Sequence, residues 1–400
     1  MKLAENINNK IVQIAELAGH HSFYLYDPSV MHRKITHLKD ILPESVKIYY
    51  AMKANPHDAF LKTAKAAGAQ GIEIGSMGEG KMALAAGFTP DQLIFTGPGK
   101  STDELEWSVK RQLNTVHVES LTEAHRLNQI CERLGKRQDI LVRVNPNFYI
   151  HDAQARFSGD SSKMGIDQNR FMDVLPEIYD LSNLNFKGLH VYAASGVLKL
   201  VDLLENCQRV FTLAREVEAR YDHIRCDIID FGGGFGIDYL ETGQDFSPKE
   251  YNDGLRKLIE GFGFSDRTFV LELGRYLTAD SGWYCAEIID IKESLGKKQV
   301  VCGGGNSHFR RPVALGINHP LMIVEMNKPN VFEGQESVHD EMVFVGGPLC
   351  NTADKLAPKD IYVAKAEIGD IAVFGYAGAY GLTMSHFEFL GHNRPPEIVI

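Results

Sequence analysis

Ile228-Ile229-Asp230-Phe231-Gly232-Gly233-Gly234 is a short β-branched run that ends in three consecutive glycines. It is the seventh of eight similar runs in the first two thirds of the chain, and stretches with helical apolar spacing, such as 121–134 and 201–221, separate them. Eight alternating strands and helices predict parallel pairing and a closed (β/α)8 barrel, with an open Rossmann-type sheet as the alternative. The predicted strands are Ile48–Asn55, Gly71–Ser76, Leu93–Gly99, Thr115–Ser120, Ile140–Asn145, Gly188–Ala194, Ile228–Gly234 and Phe269–Arg275.

The rhythm changes after Arg275, where β-like runs follow one another without long helices between them. We therefore predict an α/β barrel domain over 28–275 and an all-β domain over 276–400, with residues 1–27 packing on the β domain. The β-like runs are Trp283–Ile291, Gln299–Cys302, Glu341–Val345, Asp360–Val363 and Asp370–Tyr376.

The composition, 44% apolar and 24% charged, is typical of a soluble globular protein. The net charge of −10 argues against a nucleic-acid groove or a polybasic membrane surface. The sequence shows no signal-peptide pattern, and no run approaches the ~20 apolar residues of a membrane span. Six cysteines without a C-x-x-C pair or metal-ligand spacing indicate reduced thiols, no metal site and a cytoplasmic protein.

Polar or glycine-rich residues end nearly all of the eight predicted barrel strands. Barrel active sites lie at that rim, because the loops there vary around a rigid core. Lys53 falls inside the first predicted strand, so its amine is expected to point into the barrel mouth, where desolvation enables it to attack a carbonyl group. A snorkelling or salt-bridged lysine is the alternative.

Two further segments of this rim suggest a cofactor site. Consecutive glycines in the loop 232–236, the glycine loop, allow backbone N–H groups to close around a phosphate, and loops after strands seven and eight are the common phosphate site of barrels. Glu272, near the end of the eighth run, requires a partner if it is buried. Arg275 could supply one, or Glu272 could pair with a protonated pyridine nitrogen and keep that ring an electron sink.

Two segments of the predicted β domain carry reactive groups. Cys350 lies in a Gly/Pro turn at 346–354 rather than in an apolar run, which favours an accessible thiol, although isolated free cysteines are usually buried. Tyr380, in the segment 376–381, could offer its phenol to a phosphate. Taken alone, that segment is only a glycine-rich strand end.

Five ordered motifs, A-M-K-A-N, G-G-G-F-G, E-x-G-R, G-P-x-C-x-x-x-D and G-A-Y-G, resemble those of the fold-type III pyridoxal 5'-phosphate (PLP) decarboxylases. That family includes diaminopimelate, ornithine and arginine decarboxylases and shares its barrel with alanine racemase. The resemblance covers essentially the whole chain. It implies a PLP-binding (β/α)8 barrel followed by an all-β domain, and a homodimer whose subunits share active sites.

By this resemblance, Lys53 holds PLP as a Schiff base, the glycine loop binds its phosphate, and Glu272 pairs with its ring nitrogen. Cys350 is delivered across the dimer interface and protonates the α-carbon after carbon dioxide has left. The implied catalytic residues are therefore Lys53 and Cys350. The implied cofactor-binding residues are Lys53, Tyr192, Ser195, Asp230, Gly233, Gly234, Glu272, Gly274, Arg275 and Tyr380.

Two departures from the family pattern bear on the site. The family usually stacks a histidine on the PLP ring, whereas Tyr192 occupies that position here and Ser195 keeps a hydroxyl near the phosphate. Diaminopimelate and ornithine decarboxylases generally carry an acidic residue after the cysteine, where this chain has Asn351. The missing charge, together with basic residues, suggests an anionic or carboxylate-bearing substrate, although surface arginines are common. The implied substrate-binding residues are Arg310, Arg311, His319, Asn351 and Asp354.

The closing segment, 385–392 with Pro395-Pro396-Glu397, is similar to a branch that acts in siderophore and antibiotic assembly. We therefore expect an α-decarboxylase of a citryl-diaminopropionate-like siderophore intermediate, as in the staphyloferrin B and vibrioferrin branch. Decarboxylation of diaminopimelate, of a basic amino acid or of a carrier-tethered amino acid remains an alternative. A racemase is disfavoured because alanine racemase places arginine at the position of Glu272, and the full β domain disfavours a non-catalytic PLP-binding barrel.

Overall fold

The computed structural model divides into two compact units. The barrel unit comprises Met31–Ile237 and Gln244–Leu277, and the β unit comprises Met1–Val30, Asp238–Gly243 and Thr278–Ile400. The domain limits expected from the sequence, 28–275 and 276–400, stay predictions. The structure describes residues 3–18, 21–148, 155–156, 161–244, 246–326 and 328–400.

Within the described residues of the barrel unit, eight parallel strands form a closed ring, which confirms the predicted (β/α)8 barrel and excludes the open sheet. Strands that follow one another in the chain are neighbours in the ring. The ring closes where the last strand pairs with the first, with Leu273 opposite Tyr50. Barrel strands 1 to 8 are Val46–Ala51, Gly71–Ile74, Leu93–Phe95, Thr115–Val118, Gln138–Asn145, Leu184–His190, Ile228–Asp230 and Thr268–Leu273.

Helices alternate with the barrel strands, as the apolar spacing predicts. In a representative helix, Leu121–Leu134, the Ser120 side chain accepts a hydrogen bond from the Glu123 N–H at the start, and Gly135 ends the helix with a φ of 61°. The helices of this region are Pro28–Ile41, Asp58–Ala66, Met77–Ala85, Thr102–Arg111, Leu121–Leu134, Gln168–Tyr179, Leu200–Arg220, Pro248–Phe262 and Arg275–Thr278. Across the described ranges, no helix is both long and apolar enough for a membrane crossing.

The end of barrel strand 1 differs from the prediction, which placed Lys53 inside the strand. The strand stops at Ala51, and Lys53 lies in the 3-10 turn Met52–Ala54. This turn packs tightly against strand 8, since a Cβ built on Gly274 would lie 2.9 Å from the Ala54 Cβ and 3.0 Å from the Ala51 carbonyl oxygen. Lys53 therefore lies just beyond the carboxyl end of the strand, at the rim of the barrel.

The β unit contains one eight-stranded sheet within its described residues. Its first strand, Ser22–Tyr26, pairs antiparallel with Gly282–Ser294 and parallel with Glu397–Val399. The strands Leu321–Val324 and Glu397–Val399 were not predicted. The remaining strands are Lys297–Cys302, Val338–Gly346, Ile361–Ala366 and Ile371–Phe374, and the helices are Glu5–Ala18 and Arg311–Leu315.

Candidate active site

Lys53 and Glu73 form an ion pair at the barrel rim, with 2.6 Å between Lys53 Nζ and Glu73 Oε2. Glu73, in strand 2, is buried, and its other oxygen accepts a hydrogen bond from the Thr96 hydroxyl. The Lys53 side chain is 44% exposed. The salt bridge that was the alternative for Lys53 is therefore present. The Lys53 side chain is still reachable from solvent, which an amine that attacks a carbonyl group requires.

Glu272, in strand 8, is a buried carboxyl group. Arg275, the partner considered from the sequence, donates to the Ser195 hydroxyl at 3.1 Å instead. Within the described chain, no N–H or hydroxyl group donates to Glu272 Oε1, and the neighbouring Asp230 carboxyl group lies within hydrogen-bond reach of the Glu272 side chain. Burial, and then the neighbouring Asp230 and Glu73, raise the pKa of Glu272 well above its usual range. A buried acid beside a second buried acid is unfavourable in its charged form, so the position of Glu272 indicates a site for a ligand group that pairs with it.

Asp230 ends strand 7 and lies close to Glu272. Its Oδ1 accepts a hydrogen bond from the Gly232 N–H at 2.7 Å. No N–H or hydroxyl group of the described residues donates to its Oδ2, and the Glu272 carboxyl group lies within hydrogen-bond reach of the Asp230 side chain. Burial raises the pKa of Asp230 to about 7. One oxygen of Asp230 thus anchors the glycine loop, and the other faces the interior of the barrel.

The glycine loop packs against strand 8 and against Tyr192. Gly232 and Gly234 have φ values of +63° and +125°, which L side chains rarely adopt. A Cβ built on Gly233 would lie 2.4 Å from the Glu272 carbonyl oxygen, and one built on Gly232 would lie 2.4 Å from Tyr192 Cδ2. Only glycine fits such close approaches. The structure therefore brings the predicted loop, Tyr192 and Glu272 together.

Two buried histidines, His117 in strand 4 and His190 at the end of strand 6, lie beside these carboxyl groups. Their Nδ1 atoms are 3.1 Å apart. His117 Nδ1 lies 3.8 Å from Glu272 Oε1, and His190 Nε2 lies 3.8 Å from Glu272 Oε2. Burial lowers the pKa of both imidazoles well below its usual range. His190 is one of the polar residues near the predicted strand ends, whereas His117 and the pairing of the two rings were not predicted. The available signal for His117 was a polar residue inside the apolar run 116–118.

In the β unit, Arg311, His319 and Tyr380 gather around Tyr239. The Arg311 guanidinium lies 4.8 Å from the Tyr239 ring centre and 5.4 Å from that of Tyr380. The His319 ring is 4.8 Å from Tyr239, and its Nδ1 donates to the Gly375 carbonyl at 2.9 Å. Arg311 is buried, so it is not an ordinary surface arginine. Tyr239 was missed, and its buried hydroxyl has no hydrogen-bond partner in the described part of the chain.

Three other predicted residues of the β unit, Cys350, Asn351 and Arg310, are exposed. The exposure of Cys350 is what its Gly/Pro turn predicts, while the other five cysteines are buried. Asn351 Oδ1 accepts a hydrogen bond from the Ala353 N–H at 3.0 Å, which fixes the turn. The functions predicted for these three residues stay predictions.

Asp354 is buried, and backbone groups use both of its oxygens. The Asn306 N–H donates to Oδ1 at 2.6 Å, and the Leu349 N–H donates to Oδ2 at 2.7 Å. Asp354 therefore connects two loops of the β unit. These contacts favour a structural role, and the predicted contact with substrate stays a prediction.

Residues 29–279 match the family described as pyridoxal-dependent decarboxylase, pyridoxal binding domain. The chain belongs to the pyridoxal-dependent decarboxylases. It is therefore a PLP-dependent carboxy-lyase, which confirms the cofactor and the reaction class that the sequence motifs implied.

Two relatives of this decarboxylase act on different substrates. The chain is 32% identical over 379 residues to the 2-[(L-alanin-3-ylcarbamoyl)methyl]-2-hydroxybutanedioate decarboxylase of Staphylococcus aureus (strain NCTC 8325 / PS 47), covering 94% of this chain and 93% of that protein. It is 30% identical over 385 residues to the L-glutamyl-[BtrI acyl-carrier protein] decarboxylase of Niallia circulans, covering 94% and 88%. The crystal structure of diaminopimelate decarboxylase from Helicobacter pylori complexed with L-lysine is similar with a TM-score of 0.86 at 25% identity, covering 98% and 93%.

The groups at the barrel rim fit PLP. Glu272 Oε1 is buried and receives no N–H or hydroxyl donor among the described residues, which suits the N–H of a protonated pyridine ring. The glycine loop, where a Cβ would clash, suits the close approach of a phosphate to the backbone. The Lys53 amine suits the aldehyde carbon of the cofactor.

Proposed function

We propose that Lys53, the glycine loop and Glu272 hold PLP in this decarboxylase. The observation that carries the proposal is the Glu272 carboxyl group, which is buried beside a second acid, Asp230, and receives no N–H or hydroxyl donor at Oε1 in the described chain. The loop that packs against its strand supplies Gly233 and Gly234 for the phosphate. Ser195 and Arg275, joined at 3.1 Å, add a hydroxyl and a buried cation, and Gly274 keeps the Lys53 turn close to strand 8.

Different residues of the chain have different roles in the proposed reaction. Bound PLP accepts the electron pair that remains when carbon dioxide leaves the substrate. Glu272 holds a proton on the ring nitrogen, and Glu73 orients the Lys53 amine through their 2.6 Å contact. Tyr192 offers an aromatic face to the cofactor ring beside the glycine loop.

We further propose that the enzyme acts as a cytoplasmic homodimer in which Cys350 of one subunit serves the other subunit's site. The thiol is exposed and lies in a Gly/Pro turn, which supports its delivery to another surface. There it would protonate the α-carbon after carbon dioxide has left. Tyr380, close to the Arg311 guanidinium, would add a phenol to the phosphate site.

We propose a citryl-diaminopropionate-like siderophore intermediate as substrate. The 32% identity with the S. aureus decarboxylase, whose name describes a citrate-derived amide, supports this choice. Asn351 carries no charge to grip a distal amine, while Arg310, Arg311 and His319 supply groups that recognise carboxylates. A carrier-tethered glutamate is the second candidate, because the N. circulans relative is 30% identical.

Carbon dioxide release from the purified holoenzyme tests the substrate. The panel contains citryl-diaminopropionate, carrier-linked glutamate, diaminopimelate, ornithine, lysine and arginine. We expect kcat/KM for citryl-diaminopropionate to exceed that for every other compound by at least about tenfold, a difference of about 1.4 kcal/mol. Preference for carrier-linked glutamate would select the second candidate, and preference for diaminopimelate would contradict both.

The variant Asn351→Asp sharpens this test, and Asn330→Asp, an exposed asparagine in a loop of the same unit, is its control. The added charge should lower kcat/KM for an anionic substrate several-fold and leave the control at the wild-type value. An Asn351→Asp enzyme that gains activity on citryl-diaminopropionate would contradict the anionic assignment.

A further inference from the structure

His117 and His190 form a buried pair to which the proposed cofactor site assigns no part. Their Nδ1 atoms are 3.1 Å apart, a hydrogen-bond distance. A contact between two ring nitrogens needs one N–H and one lone pair, so the two rings cannot both be cationic. Burial lowers the pKa of both imidazoles, so both are neutral at neutral pH. Two neutral rings in this contact share a single Nδ1 proton.

The pair therefore has two arrangements. In the first, His117 Nδ1–H donates to His190, whose own proton then lies on Nε2, 3.8 Å from Glu272 Oε2. In the second, His190 Nδ1–H donates to His117, whose Nε2–H faces Asp230 Oδ2 at 3.9 Å. The Thr115 hydroxyl, 3.3 Å from His117 Nε2, can donate in the first arrangement and accept in the second. Each arrangement directs one N–H towards a different carboxyl group.

A β-bulge aims His190 at this position. The register between strands 5 and 6 shifts at Lys187, which has no opposite residue. Gly188 follows with a φ of +150°, and a Cβ built on it would lie 1.8 Å from the Ile228 carbonyl oxygen. One extra residue reverses the alternation of the strand, so without it His190 would face the other side of the barrel wall.

The two carboxyl groups beside the pair, Asp230 and Glu272, lie within hydrogen-bond reach of each other and compete for one negative charge. Asp230 and Glu272 are buried side by side, and ionising both in a site of low polarity is unfavourable. The other charged groups that face this cluster are Lys53, Glu73, Lys100 and Arg143. All four are paired outside the cluster: Lys53 with Glu73, Lys100 with Glu123 and Arg143 with Glu119.

We propose that His117 and His190 are positioning residues that decide which of the two carboxyl groups, Glu272 or Asp230, carries the negative charge. The proposal rests on the pairing of Glu272 with the PLP ring nitrogen proposed above. When PLP is bound, the first arrangement holds: His190 Nε2–H stabilises Glu272 as a carboxylate, and Asp230 keeps the proton.

The change from the first arrangement to the second conserves protons among the four side chains of His117, His190, Asp230 and Glu272. In going to the second arrangement, Asp230 gives its proton to His117 Nε2, the shared proton moves from His117 Nδ1 to His190 Nδ1, and the His190 Nε2 proton passes to Glu272. One proton has moved from Asp230 to Glu272, and the histidine pair is neutral before and after. Loss of PLP thereby leaves Glu272 protonated rather than as an isolated buried charge.

Two substitutions of His190 distinguish a role of its N–H group from a role of the ring in packing. His190→Phe removes the donor, whereas His190→Gln keeps an amide N–H of similar reach. We expect His190→Phe to raise the dissociation constant of PLP by about tenfold, the lower end of the range for a polar contact to a charged group, because 3.8 Å is longer than a hydrogen bond. It should also move the pH midpoint of the visible absorbance of bound PLP. His190→Gln should bring the dissociation constant to within about threefold of wild type and return the pH midpoint to the wild-type value. Equal dissociation constants and pH midpoints in all three proteins would overturn the proposal.

Variants of His125 and Glu272 distinguish a failure of the histidine proposal from a failure of the proposed cofactor site. His125→Phe alters an exposed histidine on a helix of the barrel unit and should leave both readouts unchanged. In a Glu272→Gln background, His190→Phe should add nothing. If Glu272→Gln leaves PLP binding unchanged, the proposed function itself fails; if Glu272→Gln weakens binding while His190→Phe does not, only the role of the histidine pair fails.

Nitrogen NMR of the intact holoenzyme with ¹⁵N-labelled histidine tests the arrangement even if a variant does not fold. We expect two neutral rings, with the proton of His117 on Nδ1 and that of His190 on Nε2. A His190 Nε2 without a proton, or a cationic ring at neutral pH, would overturn the proposal.

Discussion

Glu272 in the barrel unit and Asp354 in the β unit are both buried carboxyl groups, yet their surroundings differ. Both oxygens of Asp354 accept backbone N–H groups, at 2.6 and 2.7 Å. No N–H or hydroxyl group of the described chain donates to Oε1 of Glu272, whose neighbour is a second acid, Asp230. Burial raises the pKa of both groups, so burial and residue type do not separate them. What separates a scaffold carboxyl group from a ligand-binding one is whether the protein already satisfies it.

The largest effect is expected at Lys53, because it supplies the amine that holds the cofactor. Lys53→Ala should abolish the visible absorbance of bound PLP and reduce decarboxylation below detection. The control is Lys62→Ala, since Lys62 pairs with Asp58 on an exposed helix of the same unit. Absorbance spectra of the purified proteins check this, and retention of the visible band in Lys53→Ala would contradict the assignment.

Asp354→Asn should weaken the protein itself. The substitution replaces an oxygen acceptor with an amide group that must face a backbone donor, so we expect the free energy of unfolding to fall by about 2 kcal/mol. Glu272→Gln should not lower the stability of the cofactor-free protein, since it removes a buried acid that receives no N–H or hydroxyl donor at one oxygen in the described chain. Urea unfolding of the cofactor-free proteins checks both. A larger loss in Glu272→Gln than in Asp354→Asn would break the comparison.

Asp230 predicts a pH dependence in the barrel unit. Its pKa of about 7 lies above the ordinary value of 3.8, so the folded state binds more protons than the unfolded state between those values. Stability of the cofactor-free protein should therefore fall as the pH rises from about 4 to about 7. Asp230→Asn should flatten this slope, and the exposed Asp222→Asn should not. Identical slopes in wild type and Asp230→Asn would show that Asp230 is not the group responsible.

His308 predicts a smaller effect of opposite sign in the β unit. Burial and the nearby His392 lower its pKa to about 4, so the unfolded state binds more protons between that pH and 6.5. Stability should be lost as the pH falls through this window. His308→Asn should reduce the loss, while His339→Asn, at an exposed position of the same unit, should not. Unfolding measured at pH 4.5 and pH 7 checks this, and an unchanged loss would rule His308 out.

Much of the barrel and of its rim could be predicted from local sequence. Eight β-branched runs identify the strands, and the carboxyl ends of parallel strands meet at one edge whatever their distance in the chain. That rule was enough to place Lys53, the glycine loop and Glu272 at the rim before their contacts were known. The exact end of strand 1 was missed because the 3-10 turn Met52–Ala54 continues the apolar run.

The histidine pair could not be predicted, because both faces of a barrel strand are buried and an apolar run does not show which residue points inward. For His190 the bulge at Lys187 also reverses the alternation. In the β unit, Asp354 matched a family motif, yet its hydrogen bonds to Asn306 and Leu349 depend on loops distant in the sequence. Motifs identify residues that matter, and only tertiary contacts separate a binding role from a structural one.

Titration of PLP into cofactor-free Glu272→Gln and Asp354→Asn, side by side with wild type, tests the central claim most directly. We predict that Glu272→Gln raises the dissociation constant of PLP by at least about tenfold, as expected for losing a hydrogen bond between charged groups. Asp354→Asn, measured at a temperature where it is folded, should bind PLP as wild type does. Wild-type affinity in Glu272→Gln would contradict the claim that this buried carboxyl group is kept for the cofactor.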